Sequence, residues 1–167
     1  MANNELQIAG SQGELRIRPY EHHAKYYETD QMAIIHHSNY VRYLEEARLY
    51  YMEQFGLPYR YVEEQGILIP VLGVSVEYKK SIVYGDTIVI QQWIDSFSPV
   101  KFSMCYEIRN KETGELHATA TSKHCFVDKN LSPIRLRKEY PQIYEKFKSA
   151  AEQDREALKK KRTIKEQ

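Results

Sequence analysis

Apolar side chains recur at helical spacing along residues 38–55: Tyr40, Leu44, Ala47, Tyr51 and Phe55 follow at intervals of four, three, four and four, which lines one face of a helix. The spacing predicts a long helix over Ser38–Phe55. Ser38 or Asn39 is the expected N-cap, offering a side-chain oxygen to the free N–H groups of the first turn. Gly56 is the expected left-handed residue that ends the helix. Pro58 suits the first turn of a short helix over Tyr59–Gln65, closed by Gly66. Beyond Gly66 the pattern changes to strands, predicted over Ile67–Tyr78, Thr87–Phe97, Lys101–Asn110 and Leu116–Asp128. The turns between them fall at Gly85-Asp86, Ser98-Pro99 and Asn110–Gly114. Such short links imply antiparallel neighbours, because a parallel crossover needs a dozen or more residues. Ahead of the long helix, Tyr20–Tyr27 reads as extended and Glu14–Arg18 as a short strand, while a closing helix is predicted over Lys138–Lys160. The expected architecture is α+β, an antiparallel five-stranded sheet wrapped around a long central helix.

Composition narrows what such a domain does. A chain of 167 residues with 42% apolar content is the size of one domain and rich enough to bury a core. A net charge of +1 argues against a nucleic-acid binder held by phosphate contacts. No apolar run approaches the ~18 residues of a membrane span, and MANNELQIAGSQGEL does not read as a secretory signal. Two cysteines, Cys105 and Cys125, make no disulfide framework and are expected as core filler in a reduced, cytoplasmic protein. Charge is uneven: from Arg135 onward there are 11 basic and 6 acidic residues, against a net of −4 before it. The expected division is an N-terminal extension over 1–19, a domain over 20–140 and a basic helical tail over 141–167. The Lys159–Arg162 cluster reads as a solvated helix end.

The chemistry is concentrated in Tyr26–Tyr40, YYETDQMAIIHHSNY. Asp30 lies eight residues before Ser38, and His36–Asn39 cluster where helix-start N–H groups lack intrahelical partners. A carboxylate beside such donors can attack a carbonyl or activate water while the N–H groups hold the negative oxygen. Residue types alone leave a second reading open, in which Asp30 only bonds its own backbone in a turn. His22 and His23 point to opposite faces of a strand and cannot share an ion, so no metal site is expected. No GxSxG elbow, GxGxxG or Walker pattern occurs, and no cofactor is expected. Glu45 and Arg48, three apart, read as a structural ion pair on the helix.

YYETDQMAIIHHSNYVRYLEEAR resembles the signature of the 4-hydroxybenzoyl-CoA thioesterase-like branch of the hotdog-fold acyl-CoA thioesterases. The likeness continues through VYGDTIVI and SKHCFVD and covers about Tyr20 to Tyr140. It implies a hotdog fold and hydrolysis of an acyl-CoA thioester to a free acid and coenzyme A. The same fold also hosts non-catalytic acyl-CoA-binding modules, the alternative reading. Asp30 matches the family's catalytic aspartate, as nucleophile or general base. His37 matches the helix-start position whose N–H polarises the thioester carbonyl, and Tyr26 an aromatic site near the carboxylate. Asn39, Lys80 and Arg135 are candidates for substrate binding. Ala33 stands where most relatives have glycine, and a φ below zero is expected for it. The resemblance also implies a homodimer joined at sheet edges, or a tetramer of two such dimers.

Overall fold

The computed structural model describes residues 17–165, so most of the Glu14–Arg18 expectation lies outside the described residues. Strand β1 (Tyr20–His23) is followed by a 3-10 turn at Tyr26–Glu28, helix α1 (Ser38–Gln54) and helix α2 (Tyr59–Glu64). Then come strands β2 (Val71–Tyr78), β3 (Thr87–Phe97), β4 (Lys101–Asn110) and β5 (Leu116–Cys125), and helices α3 (Leu136–Glu139) and α4 (Pro141–Lys165). The sheet is antiparallel throughout, in the order β1-β3-β4-β5-β2. The links at Ser98-Pro99 and Asn110–Gly114 join neighbours as expected. Strand β2, however, pairs with β5 and not with β3, because the segment before Gly85-Asp86 runs past the Asp30 hairpin, where Val83 bridges Ile34, instead of turning tightly. Helix α1 meets it at β1 and β3. The apolar stripe of the helix is buried as its spacing predicts: Tyr40, Tyr43, Leu44, Ala47, Tyr51 and Met52 are all 3% exposed or less.

Local signals set most of the boundaries. Gly56, at φ +76, ends α1 with paired bonds from its own N–H to Glu53 and from the Leu57 N–H to Met52, the arrangement a left-handed C′ residue makes available. Four expectations shift. Strand β1 stops at His23, because the Glu28 carboxylate takes the Lys25 N–H and folds Tyr26–Glu28 into a tight turn. Strand β2 begins at Val71, since Pro70 has no N–H to give a ladder, although Leu68 still bridges Val127. Neither Ser38 nor Asn39 caps α1: the Ser38 hydroxyl meets the His36 ring, and the Asn39 amide turns inward to the Glu28 carbonyl. The closing helix is split at Tyr140, which Pro141 holds out of the helical region.

The basic C-terminal helix is more than a tail. Ile143, Phe147, Ala150 and Ala151 lie in the same core as α1 and the strands. Its Asp154 carboxylate accepts the Tyr51 hydroxyl and, at 2.7 Å, the Ile94 N–H, on β3 beyond the stretch that short β1 pairs. Arg48 does not pair with Glu45. It turns into the core at 7% exposure, with Nη1 3.4 Å from the His124 ring. Burial, reinforced by Arg48, pushes His124 down to about 3. It is thus a neutral core group, bonded to Ser122 and through it to Tyr106. The two cysteines are half-buried and free rather than core, because strand alternation sends their neighbours Met104, Tyr106, His124 and Phe126 inward instead.

Candidate active site

The segment between the 3-10 turn and α1 folds as a small hairpin. Thr29 bridges Ile35, the Asp30 N–H donates to Ile34, and the Ala33 N–H donates back to Asp30. This closure requires a left-handed residue, and Ala33 supplies it at φ +60. The expectation of a negative φ there is overturned: the loop keeps a glycine-like geometry with an alanine in it, at a steric cost of ~1–2 kcal/mol.

Asp30 is half-buried at the hairpin's mouth. Its Oδ1 accepts the Met32 N–H at 2.8 Å, the turn bond that its residue type allows, and Oδ2 has no partner among the described residues. Asp30 shares with His37, at the helix start, a cavity of about 410 Å³ also lined by Tyr40, Tyr78, Lys79, Lys80 and the apolar Met32, Ile34 and Ile35. The His36 N–H is taken by the Glu28 carbonyl at 2.8 Å, and the Asn39 N–H donates to the His36 carbonyl. Between them the His37 N–H has no hydrogen-bond partner among the described residues. A donor of this kind, at the positive end of a 17-residue helix, suits an oxygen that gains negative charge.

The site residues expected from the sequence separate into those brought together and those left apart. Asp30, His37 and Lys80 line one cavity. Lys80 is pinned there, since His117 engages its backbone and Glu115 pairs its ammonium. Asn39 is 8% exposed and spends its amide on the Glu28 carbonyl at 2.8 Å, behind the cavity wall. Tyr26 is 75% exposed and stands edge-on to Tyr84, outside the cavity. Arg135 lies beyond the other end of β5, where Ile134 and Leu136 bond Phe126 and Pro99. Nine strand steps, ~30 Å, separate that end from His117 and Lys80.

Two residues were not singled out from the sequence. Tyr78, the last residue of β2, donates its hydroxyl to the His37 carbonyl at 3.2 Å and stands edge-on to Tyr40. Burial and this neighbour push the Tyr40 hydroxyl up to about 12. Glu28 is the other, a 6% exposed carboxylate that accepts the Lys25 N–H, the Tyr43 hydroxyl and the His22 Nε2–H at 2.7–3.1 Å. Burial opposes its charge, but these three donors outweigh it and hold its carboxyl below the usual range. Only its place two residues before Asp30 marks Glu28 in the sequence, and nothing local marks Tyr78. Among the described residues no His, Cys, Asp or Glu cluster is placed to hold a metal ion, and no helix is long and apolar enough to cross a membrane.

The sequence profile of the Thioesterase-like superfamily matches residues 25–151, from the turn before Asp30 into α4. The chain belongs to that superfamily. It is 36% identical over 137 residues to YneP of Bacillus subtilis (strain 168), provisionally assigned as an acyl-CoA thioesterase; the match spans 81% of this chain and 99% of that protein. A provisionally assigned esterase of Aquifex aeolicus (strain VF5) is 33% identical over 124 residues, 74% of this chain and 94% of its own. The crystal structure of a DHNA-CoA thioesterase from Staphylococcus aureus superposes with a TM-score of 0.79 at 35% identity, covering 84% of this chain and 94% of that one. The thioesterase-like chain described here is accordingly a hotdog-fold thioester hydrolase.

Proposed function

We propose that this thioesterase hydrolyses acyl-CoA thioesters at the cavity between Asp30 and the start of α1. The observation that carries the reading is that one cavity is lined both by Asp30, with an oxygen that has no partner among the described residues, and by His37, whose N–H likewise has none among them. The thioester carbonyl oxygen sits at the His37 N–H, and the carboxylate reaches the carbonyl carbon. Asp30 either attacks, giving a mixed anhydride that water then opens, or takes a proton from the attacking water. In both routes the carbon–sulfur bond breaks, one net water is consumed, and its two hydrogens end on the acid and on the coenzyme A sulfur, which leaves as the thiol. Lys79 and Lys80, now paired with Glu77 and Glu115 at the rim, can exchange those partners for coenzyme A phosphates. The names carried by the relatives support the coenzyme A ester as substrate.

The reading includes a second copy. Edge strand β2 leaves Val71, Leu72, Val74 and Tyr78 39–60% exposed, a surface that proteins normally cover, and it ends at the cavity. A homodimer joined along this edge places each cavity at the junction.

The test is thiol release from short, long, branched and aromatic acyl-CoAs by wild type and Asp30→Asn. The expected loss is ~10²–10⁴-fold, with acyl-CoA binding retained by calorimetry. Binding without turnover in the wild type would instead establish the non-catalytic module. Sedimentation showing an active monomer would remove the second copy.

A further inference from the structure

We propose that Glu28 is the positioning residue of this site, holding Asp30 and the His37 N–H at their working separation; the inference rests on the thioesterase reading above. Glu28 is bound from both of its ends. Its carboxylate joins three parts of the fold, through His22 on β1, the Lys25 N–H of the 3-10 turn and Tyr43 on α1. Its carbonyl accepts twice from the start of the helix, from the His36 N–H and the Asn39 side chain, each at 2.8 Å. The hairpin that carries Asp30 therefore leaves from Glu28 and returns, at His36, to the same residue.

Two consequences follow for the chemistry. Because the Glu28 carbonyl consumes the His36 N–H, the next donor along the chain, that of His37, is the one left for a ligand. Because one residue anchors both limbs of the hairpin, any loosening there changes the separation of carboxylate and donor. Rate is steeply sensitive to that separation, ~100-fold for ~1 Å. Glu28 itself does not line the cavity, and its carboxylate bonds run to β1, the 3-10 turn and α1, none of them to a cavity-lining residue. It acts through Asp30 and His37 rather than on substrate.

Glu28→Gln keeps the shape but removes the charge and one acceptor oxygen. The Tyr43 hydroxyl or the His22 ring then has to give up donating in order to accept the new amide N–H₂. The expected result is a 10–100-fold fall in kcat with KM within about threefold, measured by thiol release on protein shown to be folded by circular dichroism. A double-mutant cycle separates positioning from simple weakening of the fold. In the Asp30→Asn background, Glu28→Gln should cost less than about threefold, since without the carboxylate its separation from the His37 N–H no longer sets the rate. Tyr43→Phe, which removes one donor to the same carboxylate, is the milder variant to use if Glu28→Gln does not fold; it should show a smaller fall with the same dependence on Asp30. Wild-type kcat in Glu28→Gln, or an equal loss with and without the Asp30 carboxylate, overturns the proposal. A wild-type rate in Asp30→Asn, or no thiol release by the unmodified enzyme, counts instead against the thioesterase mechanism on which it rests.

Discussion

Glu28 and Asp30 carry the same functional group two residues apart, and the fold treats them in opposite ways. Glu28 is 6% exposed and its carboxylate is surrounded by donors from β1, the 3-10 turn and α1. Asp30 sits at a cavity mouth, with one oxygen tied to the Met32 N–H and the other without a partner among the described residues. The difference is what a buried and an open carboxylate each require. A buried anion is tolerated only when hydrogen bonds replace its lost water, and groups so satisfied are poor reagents. An open one can keep a lone pair for chemistry, because solvent supports it until a substrate arrives. One turn of chain thus separates a stabilising centre from a proposed reacting centre.

That contrast is most sharply tested at the donor opposite Asp30. His37 has φ −53, which proline shares, so His37→Pro deletes the N–H with little local distortion. Its kcat should fall ~10²–10³-fold, the loss typical of one oxyanion donor. His37→Ala retains the N–H and should stay within about tenfold. Equal losses in steady-state thiol release would assign the work to the imidazole and leave the reacting centre wrongly drawn.

The stabilising centre should respond in the opposite sense. Glu28→Ala leaves the buried Tyr43 hydroxyl and the part-buried His22 ring and Lys25 N–H without their acceptor, an expected loss of ~2–3 kcal/mol in urea unfolding. Asp30→Ala gives up one exposed turn bond and should lose less than ~1 kcal/mol. Acid sharpens the comparison. The carboxyl of Glu28 titrates below its unfolded value, so its contribution is complete above the unfolded pKa of ~4.3 and disappears as pH falls through the lower folded value. His22, Tyr43, Tyr20 and Glu46 are the other titratable groups of this cluster. Glu28→Gln should therefore show a flatter loss of stability below pH ~4 than wild type. Parallel acid unfolding curves for the two proteins would place the sensitivity elsewhere.

The smallest expected effect concerns the tip of the hairpin that carries Asp30. Ala33 holds a left-handed φ that glycine adopts without steric cost, while glycine loses more entropy on folding. The balance favours Ala33→Gly by ~0.5 kcal/mol, seen as a slightly higher Tm with kcat unchanged within about twofold. A lower Tm would mean that Ala33 leaves the left-handed region in solution.

Much of the molecule was legible in the chain because its causes are local. The five-residue stripe of α1, the left-handed Gly56 and the short turns from β3 to β4 and from β4 to β5 depend on neighbours only a few positions apart. They yielded the α+β architecture, and the resemblance in Tyr26–Arg48 pointed to the thioesterase superfamily. Direction in space was less legible. The spacing of Arg48 from Glu45 predicts an ion pair on the helix, yet Arg48 faces His124, which is 76 residues away in sequence.

What the sequence alone determined is the long helix, the strands that follow it, their order along the chain, and an aspartate shortly before a helix start. Periodicity and backbone chemistry act over a few residues and are written in order along the chain. What only the tertiary structure decided is which polar groups meet. It brought Tyr78 of β2 to the His37 carbonyl and buried Glu28 among donors from three elements. It also carried Arg135 to the far end of β5. These outcomes follow from sheet order and from the need to satisfy every buried polar group at once, conditions that no single stretch of sequence contains.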